Sequence, residues 1–187
     1  ARAARLILEG ELVAAPSDTV YGLLALPRSE RALAALAGIK GRPGPFIALV
    51  STWEQARSWT RGVDAALWER LKRVWPGPVT AILPTAPRMP GAEGGGIALR
   101  MPRSRFLTAV LVEAGEPLFS TSANLPGAPP PLDAGEIAPE VAARTALVLD
   151  GGRADSREPS TLVDLLGERP IVRRRGRGDP APLLDPA

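Results

Sequence analysis

The sequence predicts an α/β protein: a single domain built on an open, partly parallel mixed sheet with helices packed against it. Three observations carry that prediction. Short apolar runs of strand length alternate with segments whose apolar residues repeat at helical spacing. The 187 residues suffice for one full core and are too few for two ordinary ones. No repeat and no internal linker divides the chain.

The elements follow in order. Residues 1–9 combine helix formers with Leu6 and Leu8, and Gly10 stops them. Residues 12–15 read as a short apolar strand ended by Pro16, after which Ser17-Asp18-Thr19-Val20-Tyr21-Gly22 forms a polar turn. Ser29 caps a helix over 30–37, with Gly38 near its end. The loop Lys40-Gly41-Arg42-Pro43-Gly44-Pro45 then feeds a strand over 46–50. Thr52 caps a short helix through Trp59. Asp64 starts another through Trp75, where Leu67, Leu71 and Val74 share a face, and Pro76-Gly77-Pro78 breaks it before a strand over 79–83. A flexible glycine-rich link over 85–96 leads to a strand over 97–100. Ser104 caps a helix over 105–114 and Gly115 closes it. Leu118 and Phe119 then run as a strand into the polar loop Ser120-Thr121-Ser122-Ala123-Asn124. Later strands cover 146–149, 161–165 and 171–173, and residues 177–187 read as an irregular tail or a docked strap. The helical segments between Phe46 and Val79, and between Ile97 and Pro117, are long enough for right-handed crossovers.

Composition narrows the chemistry. The chain has no Cys and no His, which removes disulfides, thiolate or imidazole zinc sites, Cys nucleophiles and Ser-His-Asp catalysis. The work falls to hydroxyls, carboxylates, Lys, Arg, backbone amides or a metal carried by a substrate. The net charge of +3 rests almost wholly on arginine, since Lys40 and Lys72 are the only lysines, and it suits an anionic ligand such as a nucleotide, RNA at the surface, or plain solvation. A single Asn, a single Gln and 21 prolines fit a heat-adapted source and a GC-rich genome equally. No apolar run is long enough to span a bilayer, and the acidic residues of ARAARLILEGELVAA interrupt any secretion signal, so cytoplasm is the expected location.

Polar groups gather beside the predicted strand ends: Thr19, Lys40 with Arg42, Arg100, Ser122 with Asn124, and Ser160 before Thr161. In an open α/β sheet such ends line one crevice where ligands bind. Lys40 and Arg42 stand two apart on a restrained loop, so both can face one anion, and the Arg fork suits phosphate oxygens. Of Arg173, Arg174 and Arg175, successive positions point different ways, so one reaches a ligand while its neighbours face water. Asp18 reads first as a turn former, with orienting a group or assisting a metal as the alternatives. No GxxxxGK[ST] loop and no carboxylate cluster is present, so a P-loop site is excluded and Mg²⁺ would ride on nucleotide phosphates.

Seven motifs in order carry a resemblance: Pro16-Ser17-Asp18-Thr19-Val20-Tyr21-Gly22-Leu23, Lys40-x-Arg42-Pro43, Pro76-Gly77-Pro78-Val79-Thr80, Ile97-Ala98-Leu99-Arg100-Met101-Pro102, Ser120-Thr121-Ser122-Ala123-Asn124, Ser160-Thr161-Leu162-Val163-Asp164 and Arg174-x-Gly176. The chain resembles the YrdC/TsaC family in its short, single-domain form. The resemblance implies a YrdC-like domain over 1–176 with a twisted mixed sheet and a basic central cleft, and a tail over 177–187. It implies a nucleotidyltransferase, threonylcarbamoyl-AMP synthase, which uses L-threonine, bicarbonate and ATP with its Mg²⁺. The adenylate product would feed N6-threonylcarbamoyladenosine formation at position 37 of tRNA through downstream threonylcarbamoyl-transfer proteins. By position, Thr19, Arg100, Ser120 and Ser160 would hold threonine, and Lys40, Arg42, Ser122, Asn124, Pro130 and Arg174 would hold ATP, with Lys40 and Arg42 serving catalysis. Ser17 stands where the family usually has Thr, and Gly96 where many relatives have a hydroxyl. Two other readings remain open: a non-catalytic module binding double-stranded RNA or tRNA, and the related domain that makes carbamoyl adenylate for hydrogenase maturation.

Overall fold

The structure, a computed structural model, describes residues 2–86 and 89–184. Ala1 of the first expected helix, Pro87 and Arg88 of the glycine-rich link, and residues 185–187 of the tail lie outside the described residues. Among the described residues, the chain runs α1 (Arg2–Leu8), β1 (Val13–Ala15), β2 (Gly22–Ala25), α2 (Glu30–Lys40), β3 (Ile47–Leu49), α3 (Trp53–Ser58), α4 (Ala65–Lys72) and β4 (Val79–Pro84). It continues through β5 (Gly96–Arg100), α5 (Arg105–Ala114), β6 (Leu118–Ser122), a 3₁₀ turn (Ala134–Glu136), α6 (Pro139–Ala142), β7 (Leu147–Val148), β8 (Thr161–Asp164), β9 (Ile171–Arg174) and α7 (Ala181–Leu184). The strands form one sheet in the order β7-β1-β2-β6-β3-β5-β4-β8-β9.

The sheet is mixed. Pairs β1/β7, β3/β5 and β4/β8 are parallel and the others antiparallel. The expected crossovers are not formed by either helical segment. The glycine-rich link instead closes β4 onto β5 as an antiparallel pair, with Thr85 N–H donating to Gly95 O at 3.0 Å and Gly96 N–H to Glu93 O at 3.0 Å. Strand β5 is parallel to β3 but antiparallel to β4, and β6 is antiparallel to β3, so neither connection joins two parallel strands.

Caps set the helix starts. Ser29, Thr52, Asp64 and Ser104 each accept from a backbone N–H of the first turn. Helix α2 runs past Gly38 to Lys40 because Gly41, at φ 65°, is the residue that takes the left-handed C-terminal position. Lys40 therefore stands on the last helical turn and not in a loop. Three elements are not among those the sequence predicts, β2, the 3₁₀ turn and α6, and the tail contains a helical turn, α7, whose Leu183 is buried with α4 against the core.

Strand alternation divides the buried side chains between two faces. One face carries Ala14, Leu23, Ala48, Ala81, Leu83, Ile97, Leu99, Phe119 and Val163 and is covered by α2, α3, α4, α6 and α7. The other carries Val13, Ala15, Leu24, Leu49 and Leu118, and α1 and α5 cover that part. Further along it, Ile47, Ile82, Ala98, Ser120, Ser122 and Leu162 carry no helix and form the floor of a cavity.

A cationic cleft on the open half of the sheet

The cavity measures about 430 Å³, within the range of small-molecule sites. Thr19, Arg42, Arg100, Ser120, Ser122, Ser160 and Arg174 all line it, so seven of the predicted site residues meet in one place. They do not come from one row of strand ends. Arg100 stands in register with Leu49, which faces Leu118 at the start of β6, whereas Ser122 is the end of that strand. The cleft crosses the sheet face, with Arg100 and Arg174 towards one end and Arg42 towards the other.

Ser17 makes the turn before β2, its Oγ accepting from the N–H groups of Thr19 and Val20 at 3.1 and 3.2 Å and donating to Val20 O at 2.7 Å. That leaves Asp18 free for a different task. Arg100, 5% exposed, donates from Nη2 to Asp18 Oδ1 at 2.5 Å, from Nη1 to Thr19 Oγ1 at 3.0 Å and from Nε to Gly77 O at 3.1 Å. Asp18 is thus the largely buried counter-ion that orients Arg100, the second of its readings in place of the turn former. A guanidinium has five N–H donors, so one on each terminal nitrogen remains for a ligand.

Arg174 reaches the same end through a β-bulge. Leu162 pairs with Arg174 but Val163 with Val172, which makes Arg173 the extra residue. Arg174 thereby shares the face of Leu162 and the cavity, while Arg173 pairs with Asp164 at 2.7 Å. Its Nε and Nη2 donate to Ser160 O at 3.2 and 2.9 Å. Although Arg174 is exposed as a residue, partial burial of its guanidinium, and then the charge of Arg100, lower its pKa. Gly176 permits this approach, since a Cβ there would lie 2.2 Å from Pro159 O.

At the other end Arg42 lies over the Phe46 ring at 5.2 Å and donates to Pro45 O at 2.7 Å. Lys40, Asn124 and Pro130, also predicted as site residues, do not line the cavity. Lys40 Nζ instead donates to Ser122 O at 3.2 Å, Asn124 O at 2.7 Å and Asn124 Oδ1 at 3.0 Å, behind the wall that Ser122 forms. Burial, and then the neighbouring Arg42, push its pKa down to about 8. Ser122 Oγ donates to Asn124 Oδ1 at 2.5 Å, and Pro130 O accepts from Arg157 at 2.5 Å. Sequence reasoning missed Phe46, Ile47, Ala98 and Pro159 on the lining. Only the two-residue period of β3 and β5 signalled Ile47 and Ala98.

Three arginines, a row of short hydroxyls and an apolar floor give this α/β protein a cleft whose chemistry suits small anionic ligands across a sheet face. The chain belongs to the Sua5/YciO/YrdC family, whose model, described as telomere recombination, matches residues 5–176. It is 34% identical to the threonylcarbamoyl-AMP synthase of Pyrococcus abyssi over 93% of this chain and 53% of that one. It is 35% identical to the threonylcarbamoyl-AMP synthase of Xanthomonas euvesicatoria pv. vesicatoria, over 87% of this chain and 91% of that one. The crystal structure of P. abyssi Sua5 complexed with L-threonine superposes with a TM-score of 0.86 at 32% identity, over 94% of this chain and 53% of that one. The chain therefore spans about half the length of the P. abyssi relative. No helix among the described residues is long and apolar enough to cross a membrane.

Proposed function

We propose that this chain is a cytoplasmic threonylcarbamoyl-AMP synthase, which makes L-threonylcarbamoyladenylate and pyrophosphate from L-threonine, bicarbonate and ATP. The observation that carries the reading is the buried Arg100, anchored at three points with two N–H groups to spare, in a cavity that also holds Arg42 and Arg174. Such a guanidinium suits an α-carboxylate, and Thr19, Ser120 and Ser160 supply hydroxyls around it. Arg42, Ser122 and Arg174 would take the nucleotide, with Lys40 and Asn124 holding the Ser122 wall and Mg²⁺ arriving on the ATP phosphates. The names of the two synthases and the threonine complex of P. abyssi Sua5 support the same assignment.

The chemistry asks for positioning and charge neutralisation. The threonine amine, once deprotonated, joins carbon dioxide from bicarbonate as a carbamate, and a carbamate oxygen attacks the α-phosphorus of ATP as pyrophosphate leaves. Carbamates decompose in water and the attack brings two anions together, so a cleft of fixed cations supplies what the uncatalysed reaction lacks. The product would then serve tRNA threonylcarbamoyl-transfer proteins acting at adenosine 37.

Pyrophosphate release from ATP tests the reading. It is expected to require threonine and bicarbonate together, and Arg42→Ala is expected to abolish it in a protein that stays folded, as an exposed side chain allows. Pyrophosphate release independent of threonine, or full activity in Arg42→Ala, would overturn it.

A further inference from the structure

Behind the cavity wall, β4 holds a hydroxyl that the reading above does not use. Thr80 is 0% exposed and its Oγ1 lies 2.7 Å from Ser160 Oγ, its one side-chain hydrogen bond among the described residues. Ser160 is 2% exposed and lines the cavity. Arg174 Nη2 also approaches Ser160 Oγ, at 3.4 Å. A guanidinium only donates, so one lone pair of Ser160 faces Arg174.

The Thr80–Ser160 bond can carry its proton either way. Were Ser160 the donor, the Thr80 proton would be sealed in the core with no acceptor, and a buried unsatisfied donor carries its full desolvation penalty. With Thr80 as donor both hydroxyls are satisfied. Ser160 then accepts from Thr80 and Arg174, and its own proton is left to point into the cavity.

From this arrangement we infer that Thr80 is a positioning residue, which makes Ser160 a fixed hydrogen-bond donor toward the bound amino acid. Next to Arg100, a serine locked as donor favours a ligand oxygen that can only accept, as in a carboxylate. The inference rests on the placement of threonine at this end of the cavity. It adds a second determinant of that placement, reached through a side chain that touches no ligand.

Calorimetric titration of L-threonine into the full chain, with KM values for threonine and ATP, tests it. Thr80→Val keeps the volume and removes the hydroxyl, while Thr80→Ser keeps the hydroxyl and removes a methyl. Thr80→Val is expected to weaken threonine binding on the order of tenfold and leave the ATP KM unchanged. Thr80→Ser is expected to bind threonine within about twofold of the parent although it melts earlier. Thr80→Ala against Thr80→Ser isolates the hydroxyl again, should the Val chain not fold. Equal losses in the Ser and Ala chains, or unchanged threonine affinity in the Val or Ala chain, would overturn the role of Thr80 alone. Failure of the parent protein to bind threonine would instead remove the placement on which the inference rests.

Discussion

Lys40 directs its three ammonium protons at the chain itself, two of them to the carbonyls of Ser122 and Asn124 and one to the Asn124 amide oxygen. Its charge therefore acts on the ligand through the loop it holds. With its pKa at about 8 in the folded protein against 10.5 when free, the cation is lost within the working range. Pyrophosphate release is expected to fall as pH rises through about 8, and Lys40→Arg, charged at any working pH, should remove that alkaline limb even at a lower overall rate. Stability should move the other way. Between about pH 8 and 10.5 the unfolded chain holds the Lys40 proton that the folded one has released, so this group's contribution to stability rises with pH. Rates and urea midpoints measured across that window check both signs, and a limb retained in Lys40→Arg would assign it elsewhere. Arg100 calls for a different probe. Removing it would leave the Asp18 carboxylate buried without its partner, a loss of about 3–5 kcal/mol, so Arg100→Ala tests folding before binding. The pairing was hidden because Ser17-Asp18-Thr19 reads as an ordinary turn, and only the fold brings Arg100 to the side chain that the turn does not use.

Elements place these residues more finely than propensity can. Ser29 announces the start of α2, yet Gly38 imitates its end, and what decides is which glycine has a positive φ, a property of the backbone. Strand β2 was overlooked because Gly22 closes the PSDTVYG turn and opens the strand at once. The bulge in β9 leaves no trace in Arg173-Arg174-Arg175, and without the extra residue Arg173 would stand opposite Leu162 in place of Arg174. Gly176 keeps that arrangement in place. A methyl group there would meet Pro159 O at 2.2 Å and the Ser160 carbonyl carbon and oxygen at 2.8 and 2.9 Å, all backbone atoms with little room to yield. Gly176→Ala is expected to cost about 1–3 kcal/mol in chemical denaturation, as overpacking does, and to raise the ATP KM by displacing Arg174 from Ser160. An unchanged ATP KM would show that Arg174 does not depend on this approach.

At the scale of the whole molecule, one sheet is covered on one face and half-covered on the other, and the uncovered half holds the cavity proposed as the site. The sequence shows the α/β class and most of the strands, because apolar runs and caps are local. It shows the cleft residues only as polar groups near strand ends, because which face stays open depends on where α1 and α5 dock. Strand β6 holds both outcomes in adjacent residues. Phe119 points into the covered face, 2% exposed, with its ring 6.3 Å from Phe46 and 6.2 Å from Trp59. Ser120 points the other way, into the cavity, and its hydroxyl makes no hydrogen bond to the protein among the described residues. Phe119→Ala should therefore lower stability by about 3–5 kcal/mol. Ser120→Ala leaves no protein group unpaired, so its stability should stay within about 0.5 kcal/mol of the parent while its threonine KM rises. Denaturation midpoints and threonine KM values for the two variants separate these effects. If Ser120→Ala proved the less stable of the two, the open half of the sheet would be part of the core and no ligand would lie against it.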